Sequence, residues 1–250
     1  MTSSATAAAL PGGNTVLVEI VDRVAWVTMN RPEKRNAINP ALSFEMLDVF
    51  EALDSDERCG ALVLTGAGEA YSSGMDLREY FRATDKLSYD ERLKVMRKSA
   101  MAQWKRLQFY GKPTIAMVNG HAVGGGWGLT LVCDFRWAAA RAEFWIPEVD
   151  LGVPLGVAST TRFVRLVGPA RAKEIIMECR RYSAEEARAL GLVHRVVPDD
   201  ALGKEVRAFA ERLAAKPFRP LAEVKARINA IARIGIPEVN AMTEGFLERG

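Results

Sequence analysis

The sequence is poor in the residues that form disulfide and metal sites. It has three cysteines and two histidines in 250 residues. Neither His121 nor His194 has a cysteine or carboxylate at metal-ligand spacing. Three scattered cysteines are too few for a disulfide framework or a zinc site. We therefore predict that Cys59, Cys133 and Cys179 are reduced thiols and that the chain holds no metal.

Long apolar runs and blocks of like charge are also missing. Nothing approaches the roughly 18 apolar residues of a membrane span. The N-terminal MTSSATAAALPGGN lacks the basic and apolar regions of a signal peptide. Net charge is only +3, from 34 basic and 31 acidic residues, with no basic block typical of nucleic-acid binding. These absences predict a cytoplasmic protein that binds neither membrane nor nucleic acid, with residues 1–14 as a flexible arm.

What is present is an ordinary globular composition, 49% hydrophobic and 26% charged. Segments with strand character alternate with segments of helical spacing, which predicts an α/β fold. The predicted strands are 16–20, 24–29, 61–65, 114–118 and 135–139.

Helix starts are marked by capping residues. Asn39 precedes Pro40, the order expected of an N-cap and a first helical residue. Ser88 with Glu91, and Ser183 with Glu186, fit the capping-box pattern. We also predict helices over 129–133, from Gly168-Pro169 to 177, and as two or three amphipathic segments over 201–250 that pack outside the sheets or on a partner.

A glycine-rich segment follows the strand predicted over 114–118. Gly124, Gly125 and Gly126 lead into an apolar run. Glycines at a strand-to-helix junction let backbone amides approach a ligand, and a helix start favours negative charge there. The segment lacks both the Lys-Ser/Thr of a Walker loop and the third glycine of a dinucleotide fingerprint. The alternative is that these glycines serve tight packing alone.

Two further segments are candidates for chemistry. Gly74 lies in a turn after the third predicted strand and can orient an amide toward a pocket. Glu148 follows Pro147 among apolar residues, where a carboxyl has a raised pKa suited to proton transfer. Read in isolation, the first is only a turn and the second an exposed or ion-paired glutamate.

Taken together, these segments resemble the crotonase (enoyl-CoA hydratase/isomerase) superfamily. The resemblance covers residues 15–200 and implies a spiral of ββα units, followed over 201–250 by a C-terminal helical trimerisation region. Within the superfamily it is greatest to the hydroxycinnamoyl-CoA hydratase-lyases. The stretches that carry it are RPEKRNAINP (31–40), ALVLTGAGEAYSSGMDL (61–77), KPTIAMVNGHAVGGGWGL (112–129), CDFRWAAARAEFWIPEVDLGV (133–153) and SAEEARALGLVHRVV (183–197).

The resemblance implies a role for each site residue. The amides of Met75 and Gly125 would hold a thioester oxygen as the enolate forms, with Glu148 as acid and base. Coenzyme A would be part of the substrate, with no tightly bound cofactor, and the protein would form a homotrimer or a hexamer. The implied coenzyme A contacts are Lys34, Arg35, Ala37, Ser73, Asp76 and Leu77, and the implied pocket residues include Tyr80, Gly124 and Trp127.

The sequence departs from the family at two pocket positions. Gly128 stands where ordinary hydratases have a glutamate and hydratase-lyases a serine, and a bare glycine predicts an enlarged pocket. The second of two tyrosines that bind an aryl hydroxyl would fall at Glu244. We expect hydration and retro-aldol cleavage of an aryl-propenoyl-CoA. The alternatives are an isomerase, a hydrolase, a decarboxylase, a C–C bond-forming enzyme, or an inactive scaffold or RNA-associated relative.

Overall fold

The computed structural model describes residues 12–81, 87–88, 90–91, 94 and 102–232. In this part of the chain, ten strands alternate with seven α-helices. The strands are β1 (Val16–Val21), β2 (Val24–Met29), β3 (Ala61–Gly66), β4 (Ala70–Ser72), β5 (Thr114–Val118), β6 (His121–Val123), β7 (Phe135–Ala139), β8 (Glu143–Trp145), β9 (Tyr182–Ser183) and β10 (Arg195–Val197). The helices are α1 (Pro40–Ser55), α2 (Ala102–Gln108), α3 (Gly125–Thr130), α4 (Val157–Met177), α5 (Ala184–Ala189), α6 (Leu202–Ala214) and α7 (Phe218–Ile231).

The strands form two sheets that the chain visits alternately. The larger has the order β1-β2-β3-β5-β7-β10, parallel except for the β1–β2 hairpin. The smaller has the order β4-β6-β8-β9, with β4, β6 and β8 parallel. Three times, a strand of the large sheet is followed directly by a strand of the small sheet. This repeated step is the spiral expected of the α/β fold, and it brings the ends of β4, β6 and β8 to one edge.

Local signals predicted most of the long elements correctly. Asp22 and Arg23 have positive φ angles of 49° and 64°, as a two-residue turn between paired strands requires. Asn39 accepts a hydrogen bond from the Leu42 amide at 2.8 Å and caps α1, with Pro40 as its first residue. The apolar face of α1 lies in the main core.

Both predicted capping boxes are present. Ser183 and Glu186 bond reciprocally at the start of α5, and Gly191, at φ +76°, follows its end. Ser88 and Glu91 make the same reciprocal bonds. Most of the helix predicted to start at Ser88 lies outside the described residues, as do residues 1–11 of the predicted arm.

One of two further predicted helices differs from its predicted bounds. The helix predicted over 129–133 runs from Gly125 to Thr130 because the chain turns at Gly124, with φ +52°, and starts the helix there. The helix predicted to open at Gly168-Pro169 and end at 177 is confirmed as the second of two helical segments within α4. Gly168, at φ +76° and ψ 164°, is non-helical and separates the two segments, and Pro169 is tolerated in the first turn of the second.

The predicted C-terminal helices are present as α6 and α7. Helix α6 packs on the outer face of the large sheet, as expected, and a second core forms there. It consists of Val24, Ala61, Val63, Ile115, Trp137 and Ala139 of the sheet with Leu202, Val206, Ala210 and Ala214 of α6. The region beyond residue 232, which includes part of the predicted helical segment, lies outside the described residues.

The predicted thiols are free cysteines. Cys59 and Cys133 are buried, and Cys179 is partly buried. None of the described helices combines the length and apolar character needed to cross a bilayer.

Candidate active site

The first loop of the site follows β4 and carries Gly74 and Met75. Gly74 has a φ of +87°, in the left-handed region that glycine enters without steric cost. Ile38 donates to the Gly74 carbonyl at 2.7 Å and accepts from the Asp76 amide at 2.8 Å. Because Ile38 pairs with both neighbours of Met75, the Met75 N–H points to the opposite side. No described residue accepts a hydrogen bond from it.

The second loop joins β6 to α3. Gly124 donates to the Trp145 carbonyl at 2.9 Å, and Gly125 is the first residue of α3, where an N–H has no partner within the helix. A Cβ on Gly125 would lie 3.7 Å from the Met75 nitrogen, and one on Gly74 would lie 3.4 Å from the Gly125 nitrogen. The two amides that the sequence singled out therefore lie side by side.

Glu148 approaches the same place from the loop after β8. Its carboxyl lies against Gly124: a Cβ there would overlap the Oε1 atom and would be 3.0 Å from the carboxyl carbon. The side chain is half-buried, and its Oε2 atom is buried with no described hydrogen-bond partner. Of the residues predicted to take part in chemistry, the structure thus brings together Met75, Gly125 and Glu148.

Opposing effects set the pKa of the Glu148 carboxyl. Burial raises it above the ordinary value of 4.5, because the charged form loses hydration. Backbone contacts with Glu148 itself and with Gly125 lower the pKa, but burial is the larger effect. A carboxyl of this kind exchanges protons more readily near neutral pH than an exposed glutamate does.

Several predicted coenzyme A contacts come from two loops, those of Lys34–Arg35 and Ser73, that are joined by hydrogen bonds. The Ser73 amide donates to the Arg35 carbonyl at 2.8 Å, and its hydroxyl donates to the Lys34 carbonyl at 3.1 Å. Arg35 and Asn36 have positive φ angles of 49° and 55°. The side chains of Lys34 and Arg35 are exposed at the rim of the site, where two cations suit a ligand that carries phosphates.

The other predicted coenzyme A contacts differ in what they already bind. The Asp76 carboxylate accepts hydrogen bonds from Arg31 and from the amides of Arg78 and Glu79. These contacts hold the pKa of Asp76 below its ordinary value against the opposing effect of burial. The Ala37 carbonyl accepts from Arg31 at 2.6 Å. Leu77 starts a short π-helical turn and is 48% exposed. Asp76 and Ala37 therefore also hold the loop together through Arg31.

The predicted pocket residues are placed differently from one another. Tyr80 is buried, and its hydroxyl lies 2.9 Å from the Ser43 hydroxyl. Trp127 is fully buried in the core rather than at an open pocket wall. Its ring packs on the rings of Phe163, Phe144 and Tyr182, with centroid distances of 4.9, 5.4 and 5.8 Å. Glu244 lies outside the described residues.

The structure corrects the expectation that Gly128 enlarges the pocket. A Cβ on Gly128 would overlap the Ser159 hydroxyl, lie 3.0 Å from the Ser159 Cβ and lie 3.4 Å from the Trp104 ring. The space is therefore filled by a side chain from α4. Sequence reasoning missed Ser159, because nothing in a Ser-Thr-Thr run on a helix marks which hydroxyl faces a glycine 31 positions earlier.

Among the residues that the structure describes, no three His, Cys, Asp or Glu side chains cluster as they would to hold a metal ion. His121 is stacked edge-on against Trp145, and His194 lies against the Arg136 backbone and guanidinium.

The close packing of Gly128 predicts an unusual response to alanine. Gly128→Ala should destabilise the protein by about 1–3 kcal/mol, because the added methyl group overpacks the contact with Ser159. Gly203→Ala in α6 is the matched control, since nothing lies within 4 Å of its Cβ position, and there alanine should stabilise the helix. Urea unfolding of both variants measures the difference. Equal stabilisation by the two substitutions would contradict the packing described here.

Comparison with known proteins places the chain in a family. The family model described as enoyl-CoA hydratase/isomerase matches residues 19–247. The chain is 43% identical to the hydroxycinnamoyl-CoA hydratase-lyase of Pseudomonas fluorescens over 81% of this chain and 73% of that protein. It is 38% identical to a probable enoyl-CoA hydratase of Mycobacterium bovis over 80% and 75% of the two chains.

Solved structures give the same relationship. The crystal structure of an enoyl-CoA hydratase subunit from Geobacillus kaustophilus superposes with a TM-score of 0.80 at 36% identity, covering 91% of this chain and 86% of that one. Both the family match and the identity to relatives extend over most of the chain. The chain therefore belongs to the enoyl-CoA hydratase/isomerase family of the crotonase superfamily.

Proposed function

We propose that this acyl-CoA enzyme hydrates and cleaves aryl-propenoyl-CoA esters of the feruloyl- or coumaroyl-CoA type to an aromatic aldehyde and acetyl-CoA. The observation that carries the proposal is that, in the described part of the chain, Glu148 supplies the carboxylate that faces this site. Glu148 lies beside the Met75 and Gly125 amides, while Gly128 has no side chain that could act as a second proton carrier. The identity to a hydroxycinnamoyl-CoA hydratase-lyase supports this choice within the family.

The proposed reaction balances without an oxidant or a metal. Water adds across the C2=C3 bond, with its oxygen joining C3 and a proton joining C2. The 3-hydroxyl then loses its proton to Glu148 while the C2–C3 bond breaks, which releases the aldehyde and leaves the enolate of acetyl-CoA. Protonation at C2 completes acetyl-CoA. The amides of Met75 and Gly125 stabilise the enolate oxygen, and one such donor contributes about 3 kcal/mol.

Other parts of the proposal concern the ligand and the assembly. Lys34 and Arg35 would bind the phosphates of coenzyme A, which belongs to the substrate and is not a resident cofactor. A cytoplasmic homotrimer, or a hexamer of paired trimers, remains the expected assembly. Large apolar side chains that are about half exposed near the site, among them Val149 and Leu151, support a contact between subunits.

A second candidate function is an enoyl-CoA isomerase. Glu148 alone would suffice for it, because moving a proton along an acyl chain needs only one group that accepts and returns it.

An ester panel separates these reactions. We expect feruloyl-CoA and 4-coumaroyl-CoA to yield aldehyde and acetyl-CoA in equal amounts. Absorbance and chromatography measure the two products. Migration of the double bond in 3-enoyl-CoA without aldehyde would favour the isomerase, and free thiol alone would indicate a hydrolase. No turnover of any ester, together with retention of RNA, would contradict the enzyme proposal and favour a scaffold.

Glu148→Gln should lower kcat by about 10²–10⁴-fold, because the amide cannot accept a proton, while binding of the CoA ester stays nearly unchanged. Glu143→Gln is the matched control. Glu143 belongs to the same segment, but its carboxylate forms an exposed ion pair with Arg181 and lies 3.5 Å from the His121 ring nitrogen. Steady-state kinetics and ester binding should separate the two variants, and normal turnover by Glu148→Gln would remove this residue from the mechanism.

Glu148 also sets the pH dependence of kcat. Glu148 must be ionised to accept a proton, so kcat should rise with pH through its pKa. Because burial raises that pKa, the acidic limb should lie above pH 4.5, the ordinary value of a glutamate. The residual activity of Glu148→Gln should lack this limb, and a limb that persists there would belong to another group.

Gly124→Ala should separate stability from activity. Gly124 and Gly152 have positive φ angles of 52° and 72°, so alanine at either position should cost about 1–2 kcal/mol. Only at Gly124 does the new methyl group meet the Glu148 carboxyl, whereas nothing lies within 4 Å of the Gly152 position. We expect similar losses of thermal stability but a loss of turnover of about 10²-fold in Gly124→Ala alone. Comparable turnover by the two variants would show that the placement of Glu148 over Gly124 does not matter.

A further inference from the structure

Two glycines one turn apart on α3 are each covered by a polar side chain from elsewhere. The Gly128 amide donates to the Gly124 carbonyl at 3.0 Å, so the two backbone positions are separated by one hydrogen-bonded turn. The Glu148 carboxyl covers Gly124, and the Ser159 hydroxyl covers Gly128. A carboxyl and a hydroxyl therefore cover the two ends of the same turn.

No contact within the described structure explains why the Ser159 hydroxyl is buried. Ser159 is 1% exposed, and its Oγ atom is buried without a hydrogen-bond partner among the described residues. The next residue, Thr160, shows the ordinary alternative, since its hydroxyl donates to the Leu155 and Gly156 carbonyls. Leaving a buried hydroxyl unpaired is unfavourable, and unpaired buried groups call for an explanation such as a ligand. The Oε2 atom of Glu148 is unpaired as well.

We propose that Ser159 supplies the polar group that Gly128 lacks. Its hydroxyl binds the oxygen that reacts at C3, which is the attacking water during hydration and the 3-hydroxyl during cleavage, while Glu148 carries the proton. This inference rests on the proposed function and deepens it. No described group accepts a hydrogen bond from the Ser159 hydroxyl, so in this proposal Ser159 orients the oxygen by hydrogen bonding and does not itself transfer the proton away.

The contact between Gly128 and Ser159 explains why the hydroxyl comes from α4. The Cβ position of Gly128 is 3.0 Å from the Ser159 Cβ, so a side chain on either residue excludes one on the other. The Trp104 ring, at 3.4 Å from the same position, limits the remaining space. A small residue on one helix thus requires the polar group to come from the other.

The test compares Ser159→Ala with Thr160→Ala, whose hydroxyl is already bonded to its own backbone. Two activities are measured: water addition to an enoyl-CoA, and exchange of the C2 protons of acetyl-CoA with D₂O. Exchange needs Glu148 and the two amides but no oxygen at C3. We expect Ser159→Ala to lower kcat for hydration by about 10–10²-fold, with KM and the exchange rate within about twofold of wild type. Thr160→Ala should leave both activities unchanged.

Two further measurements distinguish this role from a purely packing role: the melting temperature of Ser159→Ala, and the activity of a double variant that exchanges the residues at positions 128 and 159. Removing an unpaired hydroxyl should leave the melting temperature of Ser159→Ala equal to or above that of wild type. The double variant Gly128→Ser/Ser159→Gly places the hydroxyl on α3 instead of α4. Its kcat for hydration should be at least about tenfold higher than that of Ser159→Gly alone. Unchanged hydration in Ser159→Ala, or equal loss of hydration and exchange without rescue by the swap, would overturn the inference.

The outcome for the wild-type protein keeps the two proposals apart. Hydration of enoyl-CoA esters without aldehyde release would refute the cleavage step and leave the role of Ser159 to be decided by the hydration rates. Cleavage by the wild type with no effect of Ser159→Ala would refute only the role of Ser159. Absence of any hydration by the wild type would refute both.

Discussion

The site depends on one close approach of two backbone segments. A Cβ on Gly74 would lie 2.7 Å from the Val123 carbonyl, closer than any side chain tolerates, and Gly74 also has a positive φ of 87°. Only glycine meets both conditions. Because this approach places the Met75 amide beside the start of α3, a larger residue at position 74 would separate the two donors before it affected any other part of the site.

Parallel strands explain how distant segments reach that point. β4, β6 and β8 are neighbours and run in the same direction, so the loops after them leave the small sheet at the same edge. Ligand sites in parallel sheets form at the carboxyl ends of strands for this reason. Met75, Gly125 and Glu148 each follow one of these strands. The sheet therefore fixes which loops meet, and the glycines decide how closely their amides approach.

Features coded by adjacent residues could be predicted from the sequence, whereas features coded by tertiary contacts could not. Asn39-Pro40 and Ser183 with Glu186 specify helix starts within four residues, and the strand over 114–118 has four consecutive apolar residues after Thr114. The strands of the small sheet have two or three residues each, too few for a period of two to be detected. The resemblance to a family pointed to the residues that meet at the site, but not to the burial of Trp127 or to Ser159.

A glycine in place of a catalytic side chain does not by itself indicate an empty or inactive site. At Gly128 the volume of the absent side chain is occupied by Ser159, and a hydroxyl is present although the sequence motif contains none. Packing density in protein interiors leaves few voids, so a residue lost from one helix is commonly compensated by its spatial neighbour. The chemistry available at such a position is decided by the pair that face each other, because either member can carry the functional group as long as the other remains small.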